Sequence, residues 1–218
     1  RLEMDGVRVF PGAYKKVAYT VPPDWSSAAF WFEQVAMDPG ADVFLRGLDD
    51  ETLQGDREAM RLWAPWVHAE FESEGLRLTH REVPDEWPDQ AVQMKHVPDL
   101  FQPLAFTLAA RGCNATLTGL DNLVVKETDR LKEVAAVLHA LGCTAVHSDG
   151  TFSLSGSITN KHPLPFDPNI DHRMALSIAP LSLILPEVTI HDPEVVNKSY
   201  PTFWADLEAA GYGIVRTQ

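Results

Sequence analysis

The 218-residue sequence predicts an α/β (α+β) fold, a pseudo-threefold domain in which three βαβαββ repeats pack their helices centrally. Three observations predict it. Chemically distinctive residues recur 72 positions apart: Asp99 falls on Asp171, Lys126 on Lys198, and one step earlier stand Ser27 and Gln54. Such a spacing marks a repeated supersecondary unit. In the middle copy, alternating and 3.6-periodic segments follow in the order strand, helix, strand, helix, strand, strand. Finally, Phe30–Val35, Leu104–Ala109 and Leu176–Leu185 are apolar nearly all round, the pattern of helices enclosed on every side.

The elements follow from local signals. Residues 1–15 read as the end of a preceding repeat or an interdomain segment, because Asp5-Gly6-Val7-Arg8-Val9-Phe10 matches the two internal hairpins at Glu74-Gly75 and Asp149-Gly150. Residues 16–218 form the domain, with repeats at about 16–86, 87–158 and 159–218. In the first, a strand is expected at Lys16 to Val21, a helix at Ser27 to Met37, a strand at Asp42 to Arg46, a helix at Asp56 to His68 and a hairpin around Gly75. The second repeats this with a strand at Ala91 to His96, a helix at Asp99 to Arg111 before Gly112, and a strand at Ala115 to Gly119. A helix at Asp129 to Leu141 places Leu131, Val134, Ala135, Leu138 and Leu141 on one face, and Gly142 ends it. Thr144 to Ser148 then turns at Asp149-Gly150 into Thr151 to Ser155. The third supplies a helix at Asp171 to Leu185, a strand at Val188 to His191 and a helix at Thr202 to Ala210, with no closing hairpin after Gly211-Tyr212-Gly213. A chain that starts at Arg1 in mid-repeat and stops before a hairpin is expected to be part of a longer protein.

Composition narrows the function. Eighteen Lys and Arg against 31 acids give a net charge of −13, which argues against nucleic acid and anionic membranes as partners. A few converging cations still suffice for a small anion. No segment reaches the length of a membrane span. Cys113 and Cys143 make no disulfide framework and fit a reducing cytoplasm. His139 and Cys143 lie one helical turn apart, but two ligands fall short of the usual three or four for zinc, so no metal is expected.

Three clusters carry charge at expected helix starts, where threefold packing would gather them. Lys126-Glu127-Thr128-Asp129-Arg130 reads either as a cap, with Thr128 or Asp129 satisfying free N–H groups and Arg130 solvated, or as an anion site. Cations at a helix N-terminus are otherwise unfavourable. Asp171-His172-Arg173-Met174-Ala175 has the same ambiguity in weaker form. In Asn197-Lys198-Ser199-Tyr200-Pro201, Lys198 alone is a surface lysine, and its register with Lys126 is what singles it out. Asp99, in His96-Val97-Pro98-Asp99, is a cap or a functional acid, whereas the first copy, with Ser27 and Gln54 at the repeat-equivalent positions, reads as scaffold. Together Lys126, Arg130, Arg173 and Lys198 suit phosphate and carboxylate groups, with Asp99 and Glu127 as proton-transfer candidates. Neither a Gly-rich phosphate loop nor a nucleophile motif accompanies them.

These motifs, in this order and across nearly the whole chain, closely resemble the C-terminal half of the 5-enolpyruvylshikimate-3-phosphate synthase family. The resemblance implies one half of a two-domain enolpyruvyl transferase fold. It also implies transfer of the enolpyruvyl group of phosphoenolpyruvate to the 5-hydroxyl of shikimate 3-phosphate, with release of phosphate and no cofactor. By resemblance, Asp99 takes the hydroxyl proton, Glu127 protonates the methylene, and Lys126 reaches both substrates. Asn122 supports shikimate 3-phosphate; Arg130, Arg173 and Lys198 clamp phosphoenolpyruvate; Asp171 and His172 support them. The chain departs from the pattern at Val124, where the family usually carries Arg. It also lacks the N-terminal half with its Lys-Ser pair and Ser-Ser-Gln segment, which would be its partner domain. On this reading the 218-residue chain alone is expected to show no turnover. Two other readings are a nucleotide-sugar enolpyruvyl transferase, against which Lys126-Glu127-Thr128-Asp129-Arg130 and Asp171-His172-Arg173-Met174 argue, and a non-catalytic binding module, which the intact acids and cations disfavour.

Overall fold

The computed structural model describes residues 2–3, 6–81, 87–162 and 165–216. Arg1 and Asp5 of the opening hairpin match, and the end of the first repeat at 82–86, lie outside them. After a short ladder of β1 (Leu2–Glu3) and β2 (Gly6–Val7), the first repeat contains α1 (Trp25–Met37), β3 (Asp42–Arg46), α2 (Ala59–Leu62), β4 (Val67–Glu72) and β5 (Gly75–His80). The second contains β6 (Val92–Gln93), α3 (Phe101–Ala110), β7 (Ala115–Thr118), α4 (Arg130–Ala140), β8 (Thr144–Ser148) and β9 (Thr151–Ser155). The third contributes α5 (His172–Ile178) and α6 (Phe203–Ala209).

The fold is α/β with helices at its centre. Every residue of α1 except Ser26 and Ser27 is buried, as is every residue of α3 except Ala110 and of α5 except Arg173. These three helices pack on one another, and their apolar all-round character requires it. The sheets lie outside them, in order β3-β5-β4 and β6-β7-β9-β8. Both are closed by antiparallel hairpins, with Ser148 facing Thr151 across Asp149 and Gly150. Those two residues have φ of 48° and 69°, the paired left-handed conformations that suit the strand twist. Trp25, Trp63 and Trp66 fill the core beside Phe101 and Phe152, whose rings meet edge to face at 5.0 Å.

Four sequence expectations need correction. Lys16 to Val21 joins no ladder and is exposed, so the first sheet lacks the edge strand that β6 gives the second. In the second copy, the Met94 N–H anchors that edge to the Thr118 carbonyl at 2.8 Å. Pro22 occupies the position 72 residues earlier and has no N–H to give. The helix expected at Asp56 to His68 is a 3₁₀ turn, Gly55–Glu58, followed by α2 alone; Pro65 disfavours helix before it, and His68 lies in β4. The helix expected to Leu185 tightens into a 3₁₀ segment, Ala179–Leu183, around Pro180. The strand at Val188 to His191 is reduced to one bridge, Ile190 with Phe166. Among the described residues no helix is long and apolar enough to cross a membrane.

Candidate active site

The site forms where the start of α4, the start of α5, the 3₁₀ turn before α3 and the 3₁₀ turn before α6 meet. Asp129 caps α4, accepting from the Lys132 N–H at 3.2 Å, so the cap reading holds for Asp129. It fails for Arg130. Although it is the first helical residue, its side chain is 2% exposed and lies among three carboxylates. Nε donates to Asp171 Oδ2 at 2.7 Å, Nη1 to Asp99 Oδ1 at 3.2 Å and Nη2 to Glu127 Oε2 at 2.9 Å. A second donation from Nη2 to Asp171 Oδ1 at 3.3 Å makes that contact a two-point fork. These acids offset both the desolvation of the guanidinium and its unfavourable place at the helix start.

Asp171 is both cap and counter-ion. Its Oδ1 accepts from the Arg173 N–H at 2.9 Å and its Oδ2 from the Thr128 hydroxyl at 3.4 Å. The Arg173 side chain turns the other way, giving Nη2 to Asp99 Oδ2 at 3.0 Å and Nη1 to the Asp99 carbonyl at 3.4 Å. Asp99 therefore makes no cap hydrogen bond; its carboxylate bridges two arginines from different repeats. Lys198, ending the 3₁₀ turn Pro193–Lys198, donates to Glu127 Oε1. That contact is the main reason the Glu127 carboxyl is held down at about 2, against an ordinary 4.5. His172 is buried, which with the nearby Arg173 charge lowers its pKa; its Nδ1 lies 3.9 Å from Asp171 Oδ1 and makes no hydrogen bond among the described residues.

Six of the sequence-selected residues, Asp99, Glu127, Arg130, Asp171, Arg173 and Lys198, thus form one network. Side-chain exposure rises through it from 0% at Asp171 and 2% at Arg130 to 31% at Asp99 and 55% at Lys198. It is a charge cluster rooted in the core and open at one end. Lys126, next to Glu127 in the chain, and Asn122 are exposed, and neither side chain makes a hydrogen bond or ion pair among the described residues, so the network does not include them. His139 is occupied elsewhere, its Nε2 accepting from the Ala145 N–H at 3.2 Å. No group of three metal-ligating side chains occurs among the described residues.

The first repeat also reaches the site, which the sequence reading of Ser27 and Gln54 as scaffold missed. Ser27 donates to the Asp24 cap, and Gln54 clips the start of α1 by accepting from Trp25 N–H and donating to the Pro23 carbonyl, both at 2.9 Å. Two positions on, Asp56 is buried and accepts from Ser26 Oγ. The 72-residue spacing lays Asp56 on Thr128, which touches Asp171; that register was the available signal.

Comparison with known proteins gives the family. The family model for EPSP synthase (3-phosphoshikimate 1-carboxyvinyltransferase) matches residues 3–207. A 3-phosphoshikimate 1-carboxyvinyltransferase of Bacteroides fragilis is 34% identical over 212 residues, 95% of this chain and 51% of the relative. One from Methanosphaerula palustris is 35% identical over 93% of this chain and 47% of its own length. Among solved structures, the EPSP synthase of Acinetobacter baumannii superposes with a TM-score of 0.70 at 29% identity, covering 91% of this chain and 48% of that one. The chain spans about half the length of the curated relatives it matches. With residues 3–207 within the match, the chain belongs to the EPSP synthase (3-phosphoshikimate 1-carboxyvinyltransferase) family.

Proposed function

We propose that this chain is the C-terminal half of a 3-phosphoshikimate 1-carboxyvinyltransferase, acting in the cytoplasm with an N-terminal half to move the enolpyruvyl group of phosphoenolpyruvate onto the 5-hydroxyl of shikimate 3-phosphate. The observation that carries this reading is that each of the network's three cations is held by a carboxylate. Arg130 and Arg173 hold Asp99, and Lys198 holds Glu127. On this reading the acids occupy donors that the phosphate and carboxylate of phosphoenolpyruvate would take.

Binding is then an exchange. The substrate's anionic groups take Arg130, Arg173 and Lys198, and that frees Asp99 and Glu127 for proton transfer. Asp99, released from Arg173, accepts the proton of the attacking hydroxyl and orients it. Glu127 carries no proton at neutral pH while Lys198 donates to it; withdrawal of Lys198 toward substrate raises its proton affinity, as a donor to the methylene carbon requires. In this reading the exposed Lys126 reaches both substrates and Asn122 supports shikimate 3-phosphate. Asp171 and His172 hold the frame. Addition develops positive charge and then a tetrahedral centre, which fixed charges stabilise without reorganisation; as the C–O bond to phosphate breaks, Glu127 takes a proton back from the methyl group, which restores the enolpyruvyl double bond.

The test is phosphate release from phosphoenolpyruvate in the presence of shikimate 3-phosphate. The 218-residue chain alone is expected to give none, and the full-length product of its reading frame to turn over. Glu127→Ala in the full-length product should lose at least about 100-fold. Unchanged turnover in Glu127→Ala, or activity of the purified half, overturns the reading.

A further inference from the structure

The carboxylate of Asp56 lies outside the four motifs, yet it is built into the same end of the domain. It is 8% exposed and accepts from Ser26 Oγ at the start of α1. Its turn is pressed onto the segment that leads into Asp99. A Cβ at Gly55 would stand 2.8 Å from the His96 carbonyl and 3.5 Å from Val97 Cγ1, so only glycine permits this approach. Two residues past Val97 stands Asp99, which Arg173 holds at 3.0 Å, so Asp56 shares this end of the domain with Asp99 and Arg173, whose charges bear on it. The other charged groups of its own turn point elsewhere: Arg57 pairs with Asp50 and Glu58 with Arg61. A helix cap does not account for it, since the 3₁₀ turn has no side-chain cap hydrogen bond.

Burying an acid beside a second acid is unfavourable, and burial together with Asp99 does raise the Asp56 carboxyl, against the lowering from Ser26 and Arg173. A purely structural position would be served as well by asparagine, which keeps the hydrogen bond from Ser26. What asparagine lacks is the charge felt by Arg173.

We propose that Asp56 is a positioning residue that acts through Arg173, the negative charge of its carboxylate limiting how tightly Arg173 holds an anion and so letting phosphate leave the site. The inference rests on the functional reading above. A unit charge a few side chains from a bound anion, in a partly screened setting, changes affinity by about 3- to 10-fold. Its removal therefore tightens ground-state anion binding and slows product departure, moving KM and kcat downward together. A merely structural defect moves affinity the other way.

The experiment compares Asp56→Asn, Asp56→Ser and Asp56→Glu in the full-length product, with inorganic phosphate and phosphoenolpyruvate as probes. Asp56→Asn should bind inorganic phosphate about 3- to 10-fold more tightly, lower KM for phosphoenolpyruvate by a similar factor and reduce kcat several-fold. Asp56→Ser deletes the same charge with less bulk and must tighten phosphate in the same sense, which decides the matter if the first variant fails to fold. Asp56→Glu, keeping the charge, should retain the original affinity. Weaker or unchanged phosphate binding in the uncharged variants overturns the proposal while leaving the functional reading intact. A parent protein that neither binds these anions nor releases phosphate overturns the functional reading, and this inference falls with it.

Discussion

Replacing Arg130 with Met tests the claim that the charge network is rooted in the core. The substitution keeps an unbranched side chain of comparable reach but removes the guanidinium. Asp171, with 0% exposure, loses the two-point fork at 2.7 and 3.3 Å and keeps only the Arg173 N–H and the Thr128 hydroxyl. Glu127 and Asp99 fare better, because Lys198 and Arg173 remain and both acids contact water. Their losses count for about 0–1 kcal/mol each. The buried carboxylate dominates, and breaking a buried pair from one side costs about 3–5 kcal/mol. Against the roughly 5–15 kcal/mol of an ordinary domain, that is a large fraction. Urea unfolding of the 218-residue chain, followed by the fluorescence of its six tryptophans, reads it directly. Arg130→Lys, a point charge that cannot span both oxygens of Asp171, should fall between. Adding Asp171→Asn to Arg130→Met should recover about 2 kcal/mol or more, because no buried charge is then unpaired. A loss below about 1 kcal/mol in Arg130→Met, with no coupling to Asp171, would refute the buried-network argument.

Two further outcomes follow from the charges. Glu33 in α1 is fully buried with neither carboxyl oxygen hydrogen-bonded among the described residues, and desolvation pushes its pKa well above the ordinary 4.5. The folded state thus keeps a proton that the unfolded state loses above pH 4.5; stability should fall with rising pH at up to about 1.4 kcal/mol per unit until the folded group also titrates. Glu33→Gln should flatten that slope, and parallel stability curves for the two proteins would exclude the assignment. Lys198→Ala should release the Glu127 carboxyl upward from about 2, visible as a shifted side-chain carboxyl titration by NMR. The stabilisation from this pair is present above pH 4.5 and fades as pH falls toward 2. With Lys198 55% exposed it amounts to no more than about 1 kcal/mol, and an unmoved Glu127 titration would show that the contact is not formed in solution.

Short-range chemistry made much of the fold legible. The Asp149-Gly150 turn, the Asp129 cap and the strands Asp42–Arg46, Thr144–Ser148 and Thr151–Ser155 depend on residues within a few positions of one another, and each stands where the pattern placed it. Three of the four misreadings come from prolines whose effect is long-range or subtle. Pro65 and Pro180 divide periodic runs that an apolar pattern alone presents as continuous helices. Pro22 removes one N–H, and with it the anchor of an edge strand whose partner carbonyl would lie in β3.

By itself, the sequence determined the repeat, its central helices and the six residues that meet in the network, because a 72-residue register and helix-start chemistry are both written along the chain. It left open whether Arg130 was solvated or bound, and it treated the first repeat as scaffold. Tertiary structure alone decided that Arg130 is enclosed by Asp99, Glu127 and Asp171, and that Asp56 is buried beside them. The physical reason is that the pairing of a charge, and its exposure to water, depend on which helix starts converge. The partners of Arg173 and Lys198 lie 74 and 71 residues away, and only the packing of α1, α3 and α5 brings those distances down to a hydrogen bond.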